Sequence, residues 1–120
     1  MILFIGQMKF RKGWDIMLNA LPHIDCRIVS KLIFITSSAR EEPPEFSSVV
    51  DRLGIRERIL FIGSPNNTVL KQAYLASSAV IIPSRYEGFG LAAVEAWEMQ
   101  KPVIASDVIA INEHVKNGYN

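Results

Sequence analysis

A chain of 120 residues, 49% of them hydrophobic, can bury one core and form at most one small domain. The formal net charge of +1, with no long basic or acidic run, excludes a field that would gather nucleic acid or an anionic membrane surface. The single cysteine, Cys26, excludes an internal disulfide framework and fits a reducing, cytoplasmic setting.

The first ten residues, MILFIGQMKF, have no basic stretch ahead of a long apolar run, so no secretory leader is expected. No apolar run reaches the length of a membrane span. Residues 2–6, ILFIG, read as a buried strand. Trp14, Met17, Leu18 and Leu21 follow at i, i+3, i+4 and i+7, the stripe of an amphipathic helix that Pro22 closes. KLIFI at 31–35 is a second strand. Phe46, Val49, Val50 and Leu53 repeat the helical spacing between a Pro43-Pro44 start and a Gly54 stop. RILFIG at 58–63 is a third strand. Asn66 or Asn67 can cap the next helix, which carries Leu70, Ala73, Tyr74 and Ser77. AVIIP at 79–83 is a fourth strand, a helix runs from about 90 to 99, and PVIAS at 102–106 is a fifth strand. The tail, VKNGYN, is turn-like.

Strands that are apolar throughout, separated by helices, indicate a parallel sheet covered on both faces. The expected class is α/β, a Rossmann-like doubly wound parallel sheet of about five strands, and the pattern does not give their order. Ligands of such sheets sit beyond the carboxyl ends of the strands. The segment RYEGFGLAAVEAWE at 85–98 lies there, between the fourth strand and its helix. Glu87 is in the loop, and Gly88 and Gly90 let the backbone approach a ligand closely. The helix start that follows offers free N–H groups and a partial positive charge, which suit an anion. Glu95 shares a helical stripe with Ala92, Ala96 and Met99, while Leu91, Ala93, Val94 and Trp97 make most of the remaining surface apolar. A helix apolar nearly all round is buried, so Glu95 is expected to be a mostly buried carboxylate in need of partners. Two vicinal ribose hydroxyls would satisfy both its oxygens. A plainer reading stands beside this one: Glu87 as an exposed loop residue favouring a helix start, and Glu95 reaching solvent along one edge.

FIGQMKFRKGWDIML at 4–18 is a second strand-loop-helix passage. It lacks the glycines of a dinucleotide fingerprint and the Gly-Lys-Ser/Thr of a phosphate-binding loop. Lys12 nevertheless precedes Gly13 where the helix begins, a poor place for a cation in stability terms and a good one for holding phosphate. The alternative is a solvated lysine among Lys9 and Arg11. His23 and His114 show no metal-ligand spacing, and no Gly-x-Ser-x-Gly elbow occurs.

Taken together, these stretches resemble the C-terminal, donor-binding domain of the group 1 retaining glycosyltransferases of the GT-B fold. The resemblance covers nearly the whole chain. Its most specific part is Pro-Ser-x-x-Glu-Gly-Phe-Gly from Pro83, then Glu95, then Pro-Val-Ile-Ala-Ser-Asp from Pro102. The resemblance implies roles. Lys12 would contact the donor diphosphate, and Glu87 would lie by the transferred sugar and stabilise charge near the reacting carbon. Gly88, Phe89, Gly90 and Leu91 would face sugar and phosphate through their backbone, Glu95 would hold the ribose, and Ser64 would lie near the base. No metal and no cofactor beyond the nucleoside diphosphate sugar is implied. Lys12 and the helix dipole would then stabilise the leaving group.

Three departures stand out. Gln7 occupies the place of a common arginine, Ile109-Ala110 replaces a usual Gly-Gly, and Ile-Thr-Ser-Ser at 35–38 stands where a glycine turn is usual. The resemblance further implies an N-terminal, acceptor-binding domain that 1–120 does not contain. Through it a full-length enzyme could touch the inner membrane face peripherally, and without it the isolated chain is not expected to transfer sugar. The alternative reading is a non-catalytic α/β module that binds a nucleotide or a protein.

Overall fold

The structure is a computed structural model and describes residues 1–118. Tyr119 and Asn120, the end of the turn-like tail, lie outside the described residues. Strands β1 (Ile2–Ile5), β2 (Leu32–Thr36), β3 (Ile59–Gly63), β4 (Ala79–Ile82) and β5 (Val103–Ala105) form one parallel sheet in the order β3-β2-β1-β4-β5. Helices α1 (Trp14–Ala20), α2 (Pro44–Arg52), α3 (Asn67–Ala76), α4 (Leu91–Glu98) and α5 (Ile109–Asn112) lie along the connections. The expected α/β class is the one observed.

Alternation along each strand explains the continuous apolar runs. Ile2, Phe4, Leu32 and Phe34 meet Met17 and Leu18 of α1 and Phe46 and Val50 of α2. Leu3, Ile33, Ile35, Val80 and Ile82 meet Ala73 and Tyr74 of α3, Ala93 and Ala96 of α4 and Ile111 of α5. Both faces are covered, so the inner strands have no polar side to show. Phe34 anchors the first face, stacked on Phe4 at 4.4 Å and on Phe61 at 5.7 Å, with Phe46 tilted at 4.6 Å. Such ring pairs add about 0.5–1.5 kcal/mol each beyond the area they bury.

Element ends differ from the sequence expectation by a residue or so. The first helix is shorter than its stripe: Leu21 enters the core from a 3-10 turn, Leu21–His23, and Pro22 sits inside that turn. Asn66 is the cap of α3, its side-chain oxygen accepting from the Val69 N–H at 2.9 Å. Helix α5 was not visible in the sequence, because a single turn has no periodicity, and the buried Ile111 docks it. The order of the sheet reverses between β1 and β4, so the helices that follow these two strands, α1 and α4, lie on opposite faces, and the loops leading into them meet at the carboxyl end of the sheet, where ligands of such sheets bind.

Candidate functional site

The loops after β1 and β4 are fastened together. Arg85 donates to both carboxylate oxygens of Asp15 at 2.7 Å and to the Phe10 carbonyl at 2.8 Å, with its guanidinium 3.7 Å from the centre of the Phe10 ring. These hydrogen bonds, more than the opposing burial, hold the Asp15 carboxyl below its usual range. The Arg85 N–H donates to the Arg11 carbonyl at 2.8 Å. Lys12 ends a 3-10 turn, Phe10–Lys12, and Gly13 then starts α1 at φ +68°, in the left-handed region. A Cβ on Gly13 would lie 1.8 Å from the Pro83 carbonyl oxygen, so only glycine lets the two loops approach this closely.

That approach sets the central pair. Lys12 Nζ donates to Glu87 Oε1 at 2.5 Å, and the Ser84 hydroxyl donates to the same oxygen at 2.7 Å. Arg11 stands 4.0 Å from Glu87 Oε2. Glu87 is 8% exposed. Burial by itself raises its pKa, but the bonds from Lys12 and Ser84 and the charges of Lys12 and Arg11 outweigh it and hold the carboxyl below its usual value. Glu87 is therefore an anion at neutral pH, and the exposed-loop alternative does not describe it.

Two cavities flank the pair. A cleft of about 410 Å³ is lined by Gln7, Arg11, Lys12, Ser37, Pro65, Leu91 and Glu95, among others. A second cavity of about 420 Å³ is lined by Arg85, Tyr86, Glu87, Asp107, Ile109 and Asn112, among others. Lys12 thus faces one cavity and Glu87 the other. A larger cavity of about 640 Å³ lies beside β5 and touches neither residue.

Glu95 departs from the expectation of burial. It is exposed, and only Ala93 and Ala96 of α4 are buried. The helix rests one alanine face on the sheet, while Leu91, 65% exposed, and Glu95 form a wall of the open cleft. Glu95 still has a partner: the hydroxyl of Tyr74 on α3 donates to Glu95 Oε2 at 2.8 Å. Burial, and then the Glu95 carboxylate, push the Tyr74 phenol far above its usual pKa, so the proton stays on the tyrosine. Glu95 Oε1 has no hydrogen bond among the described residues.

The structure brings Gln7, Lys12, Leu91 and Glu95 together on the first cleft and sets Glu87 behind Lys12. Gly88 and Phe89 are exposed and outside that cleft, with the Phe89 ring 4.9 Å from the His114 ring. Gly90, at φ +79°, begins α4. Ser64 lies in the loop after β3 but turns its hydroxyl toward the Ala39 carbonyl, 3.5 Å away, and Pro65 lines the cleft beside it. Ser37, Ser84 and Tyr74 were not singled out from the sequence. The hydroxyls after β2 replace the usual glycine turn: Thr36 and Ser38 pair at 2.8 Å, and Ser38 accepts from the Met8 N–H at 2.9 Å. A Thr-Ser-Ser run at a strand end is the signal that could have shown this turn.

Comparison with known proteins decides the family. The family of group 1 glycosyl transferases matches residues 1–120. The chain belongs to the group 1 glycosyl transferases. It is 35% identical over 120 residues to an uncharacterized glycosyltransferase of Methanocaldococcus jannaschii, covering all of this chain and 30% of that protein. It is 32% identical over 117 residues to D-inositol 3-phosphate glycosyltransferase of Mycobacterium marinum, covering 98% of this chain and 25% of that one. Among solved structures, Anabaena HepE in complex with UDP and glucose superposes with a TM-score of 0.84 at 26% identity, over 98% of this chain and 32% of that chain. Sucrose-phosphate synthase of Thermosynechococcus elongatus gives 0.81 at 27% identity, over 96% and 30% of the two chains. The chain therefore spans between 25% and 32% of the length of these relatives. In this group 1 glycosyl transferase the doubly wound sheet is that of the GT-B glycosyltransferases. No helix among the described residues is long and apolar enough to cross a membrane.

Proposed function

We propose that the chain is the donor-binding part of a retaining glycosyltransferase that takes a nucleoside diphosphate sugar and transfers its sugar to an acceptor hydroxyl. The observation that carries the reading is the Lys12–Glu87 pair between two cavities, with Glu95 on the far wall of one of them. In this reading the ribose hydroxyls meet the free oxygen of Glu95. The diphosphate lies between Lys12 and the N-terminus of α4, where a cation and unsatisfied N–H groups stabilise the departing phosphate without a metal. The sugar enters the second cavity beside Glu87. HepE, at 26% identity, was crystallised with UDP, with UDP and glucose, and with UDP-glucose, which supports a nucleotide sugar as the ligand.

Transfer itself belongs to the whole protein, in which an acceptor-binding domain supplies the second wall and seats the acceptor hydroxyl in line with the donor. A cytoplasmic site of action, where nucleotide sugars are at hand, completes the proposal. A non-catalytic nucleotide-binding module would use Glu95 and Tyr74 equally well but would have no use for an ionised Glu87 behind the lysine. The test is calorimetric titration of the chain with UDP, GDP and ADP, followed by transfer assays of the whole protein. Binding of one nucleoside diphosphate is expected. Glu87→Gln should keep that binding and abolish transfer. Absence of binding for all three would refute the reading.

A further inference from the structure

The cleft that would take the diphosphate is short of positive charge. Lys12 is hydrogen-bonded to Glu87, so its charge is already largely balanced by a carboxylate. Gln7 offers a neutral amide, and Glu95 adds a negative charge on the opposite wall. A diphosphate is a multiply charged anion and would meet a lining with little net attraction.

One other cation lines this cleft, Arg11. Its side chain is 43% exposed, and the nearest carboxylate oxygen, Glu87 Oε2, is 4.0 Å away, beyond hydrogen-bonding distance. Its guanidinium makes no hydrogen bond to another described residue. The backbone beneath it is fixed, because the Arg11 carbonyl accepts from the Arg85 N–H at 2.8 Å and the Tyr86 N–H at 3.4 Å. A charged head on an anchored stem, with its N–H donors unused, is prepared for an incoming anion. A guanidinium suits phosphate oxygens better than an ammonium, because its planar fork can donate to two of them at once.

We propose that Arg11 is the principal diphosphate-binding cation of this cleft, compensating for the neutral Gln7. The proposal rests on the donor-site reading above and deepens it. Lys12 then divides its donors between Glu87 and the phosphate, and Arg11, which shares the one Glu87 carboxylate only at 4.0 Å, brings the charge that this carboxylate does not also balance by a hydrogen bond. Gln7, on the same wall, is the other position from which a cation could reach the same ligand.

The experiment is isothermal titration of the full chain with inorganic pyrophosphate and with UDP, GDP and ADP, at low and moderate salt. The variants are R11Q, R11K and the double variant R11Q/Q7R, each checked by its melting temperature. R11Q should weaken pyrophosphate and the preferred nucleoside diphosphate at least tenfold and flatten the dependence on salt. R11K should retain part of the affinity. Arginine at position 7 should restore most of what R11Q loses, which no purely structural role for Arg11 would allow. Affinity in R11Q equal to the parent overturns the proposal and leaves the donor-site reading standing. A loss that Q7R does not restore, accompanied by a lowered melting temperature, also overturns it, because Arg11 then acts through the fold. If the parent chain binds none of the three nucleoside diphosphates, the donor-site reading and this proposal fall together.

Discussion

Gly13 makes the site possible, and a glycine series measures by how much. Gly13, Gly54 and Gly88 differ in a useful way. Gly54 has φ +64° with nothing within 4 Å of an added Cβ, Gly88 has open space and no left-handed φ, and Gly13 has φ +68° with the Pro83 carbonyl oxygen 1.8 Å from the added carbon. Gly88→Ala should therefore leave stability within about 0.5 kcal/mol. Gly54→Ala incurs only the left-handed penalty of about 1–2 kcal/mol, partly offset by a less flexible unfolded chain. Gly13→Ala incurs the same penalty plus the clash. A backbone oxygen cannot rotate away as a side chain can, so the two loops must separate, and overpacking of this kind costs about 1–3 kcal/mol more. The total of about 2–5 kcal/mol corresponds to a melting temperature lower by roughly 8–20 °C for a chain of this size. Separation of the loops also displaces Arg11 and Lys12 from the cleft they line, so nucleoside diphosphate affinity should fall in Gly13→Ala and hold in Gly54→Ala. Thermal melts and titration with UDP, GDP and ADP read both effects. If Gly13→Ala melts no lower than Gly54→Ala, the close approach of the loops does not constrain the protein and the reasoning fails.

Other outcomes follow from single contacts. Tyr74→Phe keeps the buried ring and removes the hydroxyl that orients Glu95. It should weaken nucleoside diphosphate binding by about 1 kcal/mol and leave pyrophosphate binding unchanged, and equal loss for both ligands would show that the tyrosine acts through packing. Glu87 has a folded pKa below its ordinary 4.5, so the stability it contributes is present above that value and is lost as pH falls through the lower folded value. The stability gap between the parent and Glu87→Gln, read by denaturant melts, should thus be full at neutral pH and narrow under acid, and a gap that widens in acid would contradict the assigned charge state. Arg58 donates to the carbonyls of Leu21, Ile24 and Val29 at 2.7, 3.0 and 2.6 Å. Arg58→Met should cost about 2–4 kcal/mol in a denaturant melt, since those carbonyls lose a charged donor, and a loss below 1 kcal/mol would mean that water replaces it.

The fold was legible because its signals are periodic and redundant. Runs such as ILFI and LIFIT are short, rich in β-branched and aromatic residues and bounded by turn signals, so they read as strands with both sides covered, and the stripes on α1 and α2 carry the spacing of helices. The order of the strands was not legible, since a parallel sheet pairs segments far apart in sequence by contacts that no local pattern records. In the candidate site, Lys12 and Glu87 could be singled out separately, but their hydrogen bond spans 75 positions and depends on a glycine held against Pro83. Glu95 was misjudged for a physical reason. Composition shows that α4 is apolar, yet the sheet covers only its Ala93–Ala96 face, so the face of Leu91 and Glu95 stays open as a cleft wall. Arg11 was passed over as one more surface cation, because the sequence does not reveal that Lys12 is already paired.

The pairing of Lys12 also limits what Glu87 can do in the proposed reaction. A carboxyl held below its ordinary value is an anion at neutral pH and has no proton to give a departing phosphate. Its Oε1 already accepts from Lys12 and from Ser84. The oxygen left for a ligand is Oε2, which has only Arg11 at 4.0 Å. That oxygen can accept a hydrogen bond from a sugar hydroxyl or lie against positive charge that develops at the reacting carbon, and both roles require the ionised form. Lys12 acts on the other side of the same bond. When a phosphate draws the ammonium toward itself, Glu87 Oε1 loses part of its hold on the lysine, and its negative charge becomes more available to the sugar. In the proposed reaction, donor binding and charge at the sugar site would thus be coupled through one hydrogen bond, a reason for a lysine to be set against a buried glutamate and still line the neighbouring cleft.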